Sequence, residues 1–440
     1  MTTTLAAPPE TDAPPDAPPP PLKRRWPVAG VVIVAGIASL PMLMPFGLPP
    51  GPGNTGLPDA VLVLVTATTF LWAAARRVPV HWPFLVPTLL TVLAGGVAAL
   101  VTGAGSLTLV KDLFVLLWCV SLASLGRDLG LLRLAMRAWV YIGTFYALVM
   151  IFGFVIGNDV LSGKQVDGER AMFTFGDANY ASNWFICCFF IARAARVPER
   201  AGHRYAVCAV LLVAEVLTGS NGGALALIVA VLLGCLFRLF REGRAHHAVA
   251  VGTLAVVVGG SGVALVSIVD IQPYLDRASA ASPILRDSIG RTTGESTESR
   301  GTVFATTVKM IEEQKHPWGI GAGETENAMR VNQETYVREA HNDYIAAVLE
   351  RGFLGGVALI VLVYALLLRC LRIARRGALR PEYAAAVPRP ELFAALVSVF
   401  LVSALFYETL HYRHGWAFFG LIAALDLFGR RDREPPEAVR

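Results

Sequence analysis

The chain has 440 residues, of which 55% are hydrophobic and only 16% charged, and its mean hydropathy is +0.55. Soluble domains carry about 25% charged residues, so this composition excludes a soluble multi-domain enzyme, a disordered chain and a nucleic-acid-binding protein. It leaves a polytopic membrane protein, and the net charge of +5 suits one, because such proteins collect Lys and Arg in cytoplasmic loops.

Residues 1–26 open the chain with a Pro- and Ala-rich stretch that reads as a disordered cytoplasmic tail. Lys23-Arg24-Arg25 then abuts a full-length apolar run. A cleavable signal would place its charges first and end in small residues, so the triplet is expected to anchor a first membrane helix from the cytoplasm.

Apolar runs follow near 27–44, 58–75, 82–102, 107–125, 134–156, 179–195, 205–218, 222–240, 246–269, 353–371, 391–408 and 413–429. The expected fold is an all-α polytopic transmembrane helical bundle of about 12 spans. Nine spans lie in 27–269 and three in 353–429, and a short cytoplasmic tail covers 430–440. Basic clusters near 23–25, 76–77, 127–137, 193–204, 238–244, 369–389 and 430–440 fall on one side of this alternation. The short loops of the other side carry only Lys164, Arg170 and Arg413. This asymmetry places both termini in the cytoplasm.

One connection is long. Residues 270–352 form a polar excursion on the outside, and a loop of that length is functional or disordered. Residues 276–299 look loose. Residues 301–315 place Val303, Phe304, Thr307, Val308 and Ile311 on one face at helical spacing, which suits a helix lying on the membrane surface. A turn over 316–323, a polar helix and the segment from Ala340 to Ile345 complete the loop. The six cysteines all sit in apolar runs without zinc-site spacing and read as packing residues.

The loop residues resemble the O-antigen ligase and O-antigen polymerase family of bacterial membrane proteins. The family pattern runs from an Arg on a loop helix through a Pro- and Gly-containing turn and His-Asn-x-Tyr to Glu-x-Gly-x-x-Gly. Here these are Arg300, Pro317-Trp318-Gly319-Ile320-Gly321, His341-Asn342-Asp343-Tyr344 and Glu350-Arg351-Gly352-Phe353-Leu354-Gly355. Upstream, Gly168-Glu169-Arg170 with Asp177-Ala178-Asn179 is similar to the family's Gly-x-Arg and Asp-Pro-Asn, with Ala178 in place of Pro. Thr218-Gly219-Ser220-Asn221-Gly222 is similar to its Thr-x-Ser-Arg-Gly, with Asn221 in place of Arg.

The resemblance implies a multi-pass protein of the bacterial cytoplasmic membrane. It implies a metal- and cofactor-independent glycosyltransferase that serves cell-surface polysaccharide assembly. The donor is a glycan on undecaprenyl diphosphate, and the acceptor is a hydroxyl of a glycan, lipid or protein. The active loop, 270–352, is extracytoplasmic. The leaving diphosphate needs a cation that binds it with paired hydrogen bonds, and Arg300 is the candidate. A neutral hydroxyl needs a base with near-neutral pKa, and His341 fits. Asn342, Asp343 and Tyr344 either orient His341, bind sugar or simply start a helix.

The departure at Asn221 removes a second cation. Arg170, Lys164, Lys111 and Arg291 are possible substitutes, and Arg170 is preferred because it lies in a matched segment beside Asn179. Glu215 sits one turn before Thr218 and either pairs with Arg170 or Lys111, holds an acceptor sugar or is structural. Lys111 and Asp112 open the fourth run, and Glu408, His411, Tyr412, Arg413 and His414 cluster between the last two runs as a cavity rim or an interfacial belt. A repeat-unit polymerase fits the same motifs, a small-anion or solute transporter fits the polytopic fold, and an envelope scaffold fits the Pro-rich tail. No internal repeat, P-loop or dinucleotide fingerprint stands out.

Overall fold

The computed structural model describes residues 27–44, 55–164, 170–268, 272–293, 295–314, 317–337 and 339–432. Side chains are described within these ranges except at 27, 259–268, 283–284, 291–293 and 295–300. The expected N-terminal tail, Lys23 to Arg25, Gly168, Glu169, His316 and most of the C-terminal tail lie outside the described residues. Arg291 and Arg300 are described by backbone alone.

The described chain is all-helical. In order come α1 (Pro27–Ser39), α2 (Leu57–Arg76), α3 (Leu85–Thr102), α4 (Ser106–Leu125), α5 (Leu129–Val155) and the single turn α6 (Asp159–Ser162). Then follow α7 (Ala178–Ala194), α8 (Ala201–Leu217), α9 (Asn221–Arg241) and α10 (Ala245–Ile268). The long excursion holds α11 (Gln272–Ala281), α12 (Pro283–Thr293), α13 (Glu295–Glu312) and α14 (Thr325–Val331). The chain closes with α15 (Asp343–Ala374), α16 (Pro381–Ala386), α17 (Glu391–Ser403) and α18 (Arg413–Phe428).

Each of the twelve apolar runs falls on a helix. Among the described residues, six of these helices are long and apolar enough to cross a membrane: α2, α3, α4, α5, α9 and α15. Helical backbone satisfies its own hydrogen bonds, which is why apolar stretches of this length adopt it in lipid. Polar residues then gather at helix ends to cap them. Asp128 accepts from Gly130 and Leu131 at the start of α5, Asp177 from Asn179 and Tyr180 at the start of α7, and Ser220 from Gly223 at the start of α9.

Two expectations about the excursion need correction. Residues 276–299 are not loose, because α11, α12 and the start of α13 cover nearly all of them. Pro273 and Pro283 sit in the first turns of α11 and α12, where the missing amide hydrogen has no helical partner to lose. Their positions look like breakers in sequence and act as starters. The apolar face of 301–315 also divides. Val303 and Thr307 are buried in α13, which packs on α15, whereas Phe304 is exposed. The tenth run begins a full segment early, since its helix starts at Asp343 and runs through a break at Gly352.

The core is made by α4 on α18, α17 on α9, α15 on α3 and α7 on α5 and α8. Trp118, Trp139 and Trp184 are fully buried in it, and the last two stack with centroids 5.4 Å apart. At one end of the bundle, basic residues lock helices together. Arg369 donates to Asp426 (2.6 Å) and to the Pro83 carbonyl, Arg430 also reaches Asp426 (3.1 Å), and Arg241 pairs with Glu391. The opposite end gathers the loop helices, the start of α15 and the segment 404–412.

Candidate functional site

Two motifs of the long loop form one backbone lock. Residues 317–321 fold against the break in α15. The Ile320 amide donates to the Leu349 carbonyl (3.0 Å), the Gly321 amide to Glu350 (3.0 Å) and the Phe353 amide to Pro317 (3.1 Å). Gly352 takes φ 64°, ψ −168°, and a Cβ there would lie 1.9 Å from the Pro317 oxygen. Gly319, at φ 87°, would place a Cβ 2.4 Å from the Glu350 oxygen. Only glycine fits both the left-handed backbone and the close approach. The glycines of the Pro317–Gly321 turn and of Glu-x-Gly-x-x-Gly are therefore two sides of a single contact.

The His-Asn-x-Tyr segment anchors a second connection, residues 404–412. Asn342 caps α15 by accepting from the Tyr344 and Ile345 amides, and its Nδ2 donates to the Leu405 carbonyl (3.2 Å). Asp343 is buried, and its Oδ2 accepts from the Thr409 amide (2.7 Å) and hydroxyl (2.6 Å). The Tyr344 hydroxyl donates to the Leu401 carbonyl (3.0 Å). All three side chains bind this chain's own backbone or Thr409, contacts that tie the start of α15 to the segment before α18.

His341 precedes the cap and adopts φ 50°. For a residue with a Cβ this left-handed conformation costs about 1 kcal/mol or more, and such strain collects at functional sites. The ring is partly buried and lies within electrostatic reach of Glu408.

Beside it lies a cluster of charges. The two ring nitrogens of His411 face Asp112 (Nδ1 to Oδ1, 3.4 Å) and Glu408 (Nε2 to Oε2, 3.1 Å). Arg351 donates to Asp112 and lies 3.7 Å from Glu350, which accepts from the Thr325 hydroxyl (2.8 Å). Burial opposes the charge on His411, but hydrogen bonds to Asp112 and Glu408, with their negative charges, hold its pKa well above the ordinary value of 6.5. Burial likewise opposes ionisation of Glu408, and His411, through a hydrogen bond and its charge, holds that carboxyl below its ordinary 4.5. Asp112, Glu350, Arg351, Glu408 and His411 line one cavity between α3, α4, α15 and the 408–416 segment. Arg351, inside Glu-x-Gly-x-x-Gly, heads an apolar helix, where an ionisable residue is itself the sequence signal of a candidate site.

A second polar centre joins α7, α8 and α9. Arg170 donates from Nε to the Thr218 carbonyl (2.9 Å) and from Nη2 to Asn179 Oδ1 (2.7 Å), which also accepts from the Ser220 hydroxyl (2.9 Å). Arg170, Asn179 and the Thr218–Asn221 turn are thus brought together. Asn221 instead turns to the loop helices, with its Nδ2 donating to the Ser288 carbonyl on α12 (3.0 Å) and its Oδ1 accepting from the Ser288 hydroxyl. Glu215 is buried and accepts from Ser182 (3.2 Å). Its hydrogen-bond partner is therefore neither Arg170 nor Lys111. Ser182 and Glu215 face each other across α7 and α8, a pairing that spacing within one segment does not reveal.

The remaining candidates divide. Lys111 is partly buried on α4, within electrostatic reach of Arg413, Asp112, Asp59 and Glu339. Arg413 is fully enclosed and binds Asp59 through two hydrogen bonds (2.8 and 2.6 Å), clamping α18 to α2. His414 is buried against Tyr180 and Trp184, and its Nε2 pairs with Asn183 Oδ1 (2.8 Å). These two hold helices together. Arg300 lies on α13, three residues before the buried Val303. The two polar centres meet through the 404–412 segment. Tyr407 lies so close to α9 that a Cβ on Gly222 would be 2.7 Å from its ring, and Leu405 is held by Asn342.

Residues 206–360 match the family model described as O-antigen ligase, and no curated protein matches the chain. The matched stretch begins in α8 and ends in α15. It holds Asn221, Arg300, the Pro317 turn, His341 to Tyr344 and the Gly352 break. Over this stretch, about a third of its length, the chain is similar to the O-antigen ligase family, in line with the motif resemblance.

Proposed function

We propose that the protein is a glycosyltransferase of the bacterial cytoplasmic membrane. It moves a glycan from undecaprenyl diphosphate to an acceptor hydroxyl at the outer face. Twelve spans put both termini in the cytoplasm and the 270–352 loop outside. The observation that carries this reading is the convergence of the family match with the geometry. The matched motifs interlock at the one end of the bundle where His341 is held in a strained backbone beside a charged cavity.

His341 takes the proton of the acceptor hydroxyl as its oxygen attacks the anomeric carbon. The bond from that carbon to the diphosphate oxygen breaks, and the electron pair leaves with the carrier. Arg300 stabilises the charge that gathers on the diphosphate. Arg170, at the α7–α9 junction, supplies the second cation that Asn221 lacks. Each role contributes about a hundredfold or more to turnover.

Deleting the gene and profiling envelope glycans, including the carrier-linked pool, tests this. Full-length chains stranded on the carrier are expected. Single repeats replacing long chains would identify a polymerase instead, running the same step with a carrier-linked glycan as acceptor. An unchanged profile would overturn the reading.

A further inference from the structure

The glycosyltransferase reading assigns no role to the cavity between α3, α4, α15 and the 408–416 segment. Its polar end carries the carboxylates Asp112, Asp343, Glu350 and Glu408 against the cations Arg351 and His411. Carboxylates outnumber cations, so a diphosphate entering here meets net negative charge, and the cavity does not suit the donor's leaving group. Its deeper wall is apolar, formed by Leu113, Leu116, Leu359 and Leu362.

A second observation is independent of this charge count. Among the described residues, Glu408 Oε1 and Arg351 Nε are buried without a hydrogen-bond partner. Both side chains are only 10% exposed, and both line the cavity. Buried polar atoms are nearly always satisfied, so an acceptor and a donor left open at one cavity suit a partner that both donates and accepts. A sugar hydroxyl does both. Trp416, fixed by its Nε1 donating to the Leu410 carbonyl (2.7 Å), contributes to the same wall the apolar ring face on which sugar C–H groups pack.

We infer that this cavity is a sugar subsite for an uncharged residue of the acceptor, separate from the diphosphate-binding side of the site. The inference rests on the glycosyltransferase reading for the word acceptor, but not for sugar binding. Glu408 accepts from a sugar hydroxyl, Arg351 donates to one, and Trp416 with the leucines covers the apolar face. The excess of carboxylates selects against anionic sugars and free pyrophosphate.

Saturation-transfer NMR on the full-length protein in nanodiscs tests this. The probes are methyl glycosides of glucose, galactose, mannose and N-acetylglucosamine, with glucuronic acid methyl glycoside and inorganic pyrophosphate for comparison. At least one neutral glycoside is expected to receive saturation, and neither glucuronide nor pyrophosphate is expected to displace it. Glu408→Gln should weaken binding about tenfold, the loss of a hydrogen bond to a charged group. Because Glu408 belongs to a buried ion network, Ala358→Phe provides a second test that fills the cavity from its apolar side. If Ala358→Phe does not fold, Thr91→Trp fills it from α3.

Loss of saturation in a plugged variant that melts like the parent supports the subsite. No binding by the parent, unchanged binding in the plugged variant, or displacement by pyrophosphate overturns it. Sugar binding with unchanged envelope glycans after gene deletion would keep the subsite and sink the glycosyltransferase reading. Stranded carrier-linked glycan without binding here would do the reverse.

Discussion

The two polar centres at the loop end differ in how completely they are satisfied. At the α7–α9 junction, each hydrogen bond of Arg170, Asn179, Ser220 and Asn221 described above closes on a neighbouring backbone or side chain. Around the α3–α4–α15 cavity, two buried polar atoms, Glu408 Oε1 and Arg351 Nε, lack partners among the described residues. Helix assembly accounts for those hydrogen bonds of the first centre. The second carries polar groups in excess of what assembly needs, and such excess marks a place where something else binds.

The comparison can be broken most severely at the backbone lock next to the cavity residues Glu350 and Arg351. Gly352→Val puts a Cβ into the Pro317 carbonyl and forces a β-branched residue to positive φ. It should abolish accumulation of folded protein, read as the yield of monodisperse protein after detergent extraction. A normal yield and melting curve would show that the two motifs do not meet.

Arg413→Ala should cost about 3–5 kcal/mol by leaving Asp59 buried without its cation. Asp343→Ala should cost about 2–3 kcal/mol through the orphaned Thr409 amide and hydroxyl. Thermal unfolding in detergent ranks both, and Asn342→Ala, a lost cap, should follow at about 1 kcal/mol.

His341→Gly separates strain from chemistry. It should leave stability unchanged or raise it by about 1 kcal/mol, since glycine accepts φ 50° freely, while turnover falls about a hundredfold or more. Equal loss of stability and activity would make His341 a structural residue.

The smallest effect is the pH dependence of the charged cavity. Glu408 has a lowered pKa, so its contribution is present above the ordinary 4.5 and is lost as pH falls through the folded value. His411 has a raised pKa, so its contribution is full below 6.5 and is lost only as pH rises through its elevated folded value. Both are complete between 4.5 and 6.5, and melting temperature should fall on either side, slowly on the alkaline one. Glu408→Gln should flatten the acid limb, and an unchanged acid limb would count against the Glu408–His411 pair.

Hydrophobic runs made the helices legible, because a membrane-length apolar segment has few alternatives to a helix. Motif order made Arg300, His341 and the glycine turns legible as a set. What stayed hidden was pairing across distance. Ser182 with Glu215, Asp59 with Arg413 and Ser288 with Asn221 join residues from different segments, and no local spacing encodes them. The roles of Asn342 and Asp343 depend on a segment some sixty residues downstream. The helical loop of 276–299 was obscured by prolines whose meaning depends on where in the helix they fall.

The most direct test of the central claim is release of undecaprenyl diphosphate by purified protein in liposomes supplied with carrier-linked glycan and an acceptor. The parent should release carrier in step with glycan transfer. Arg300→Ala and His341→Ala, reconstituted and melting like the parent, should release it at about a hundredth of the rate or less. Release at the parental rate by both variants would contradict the account.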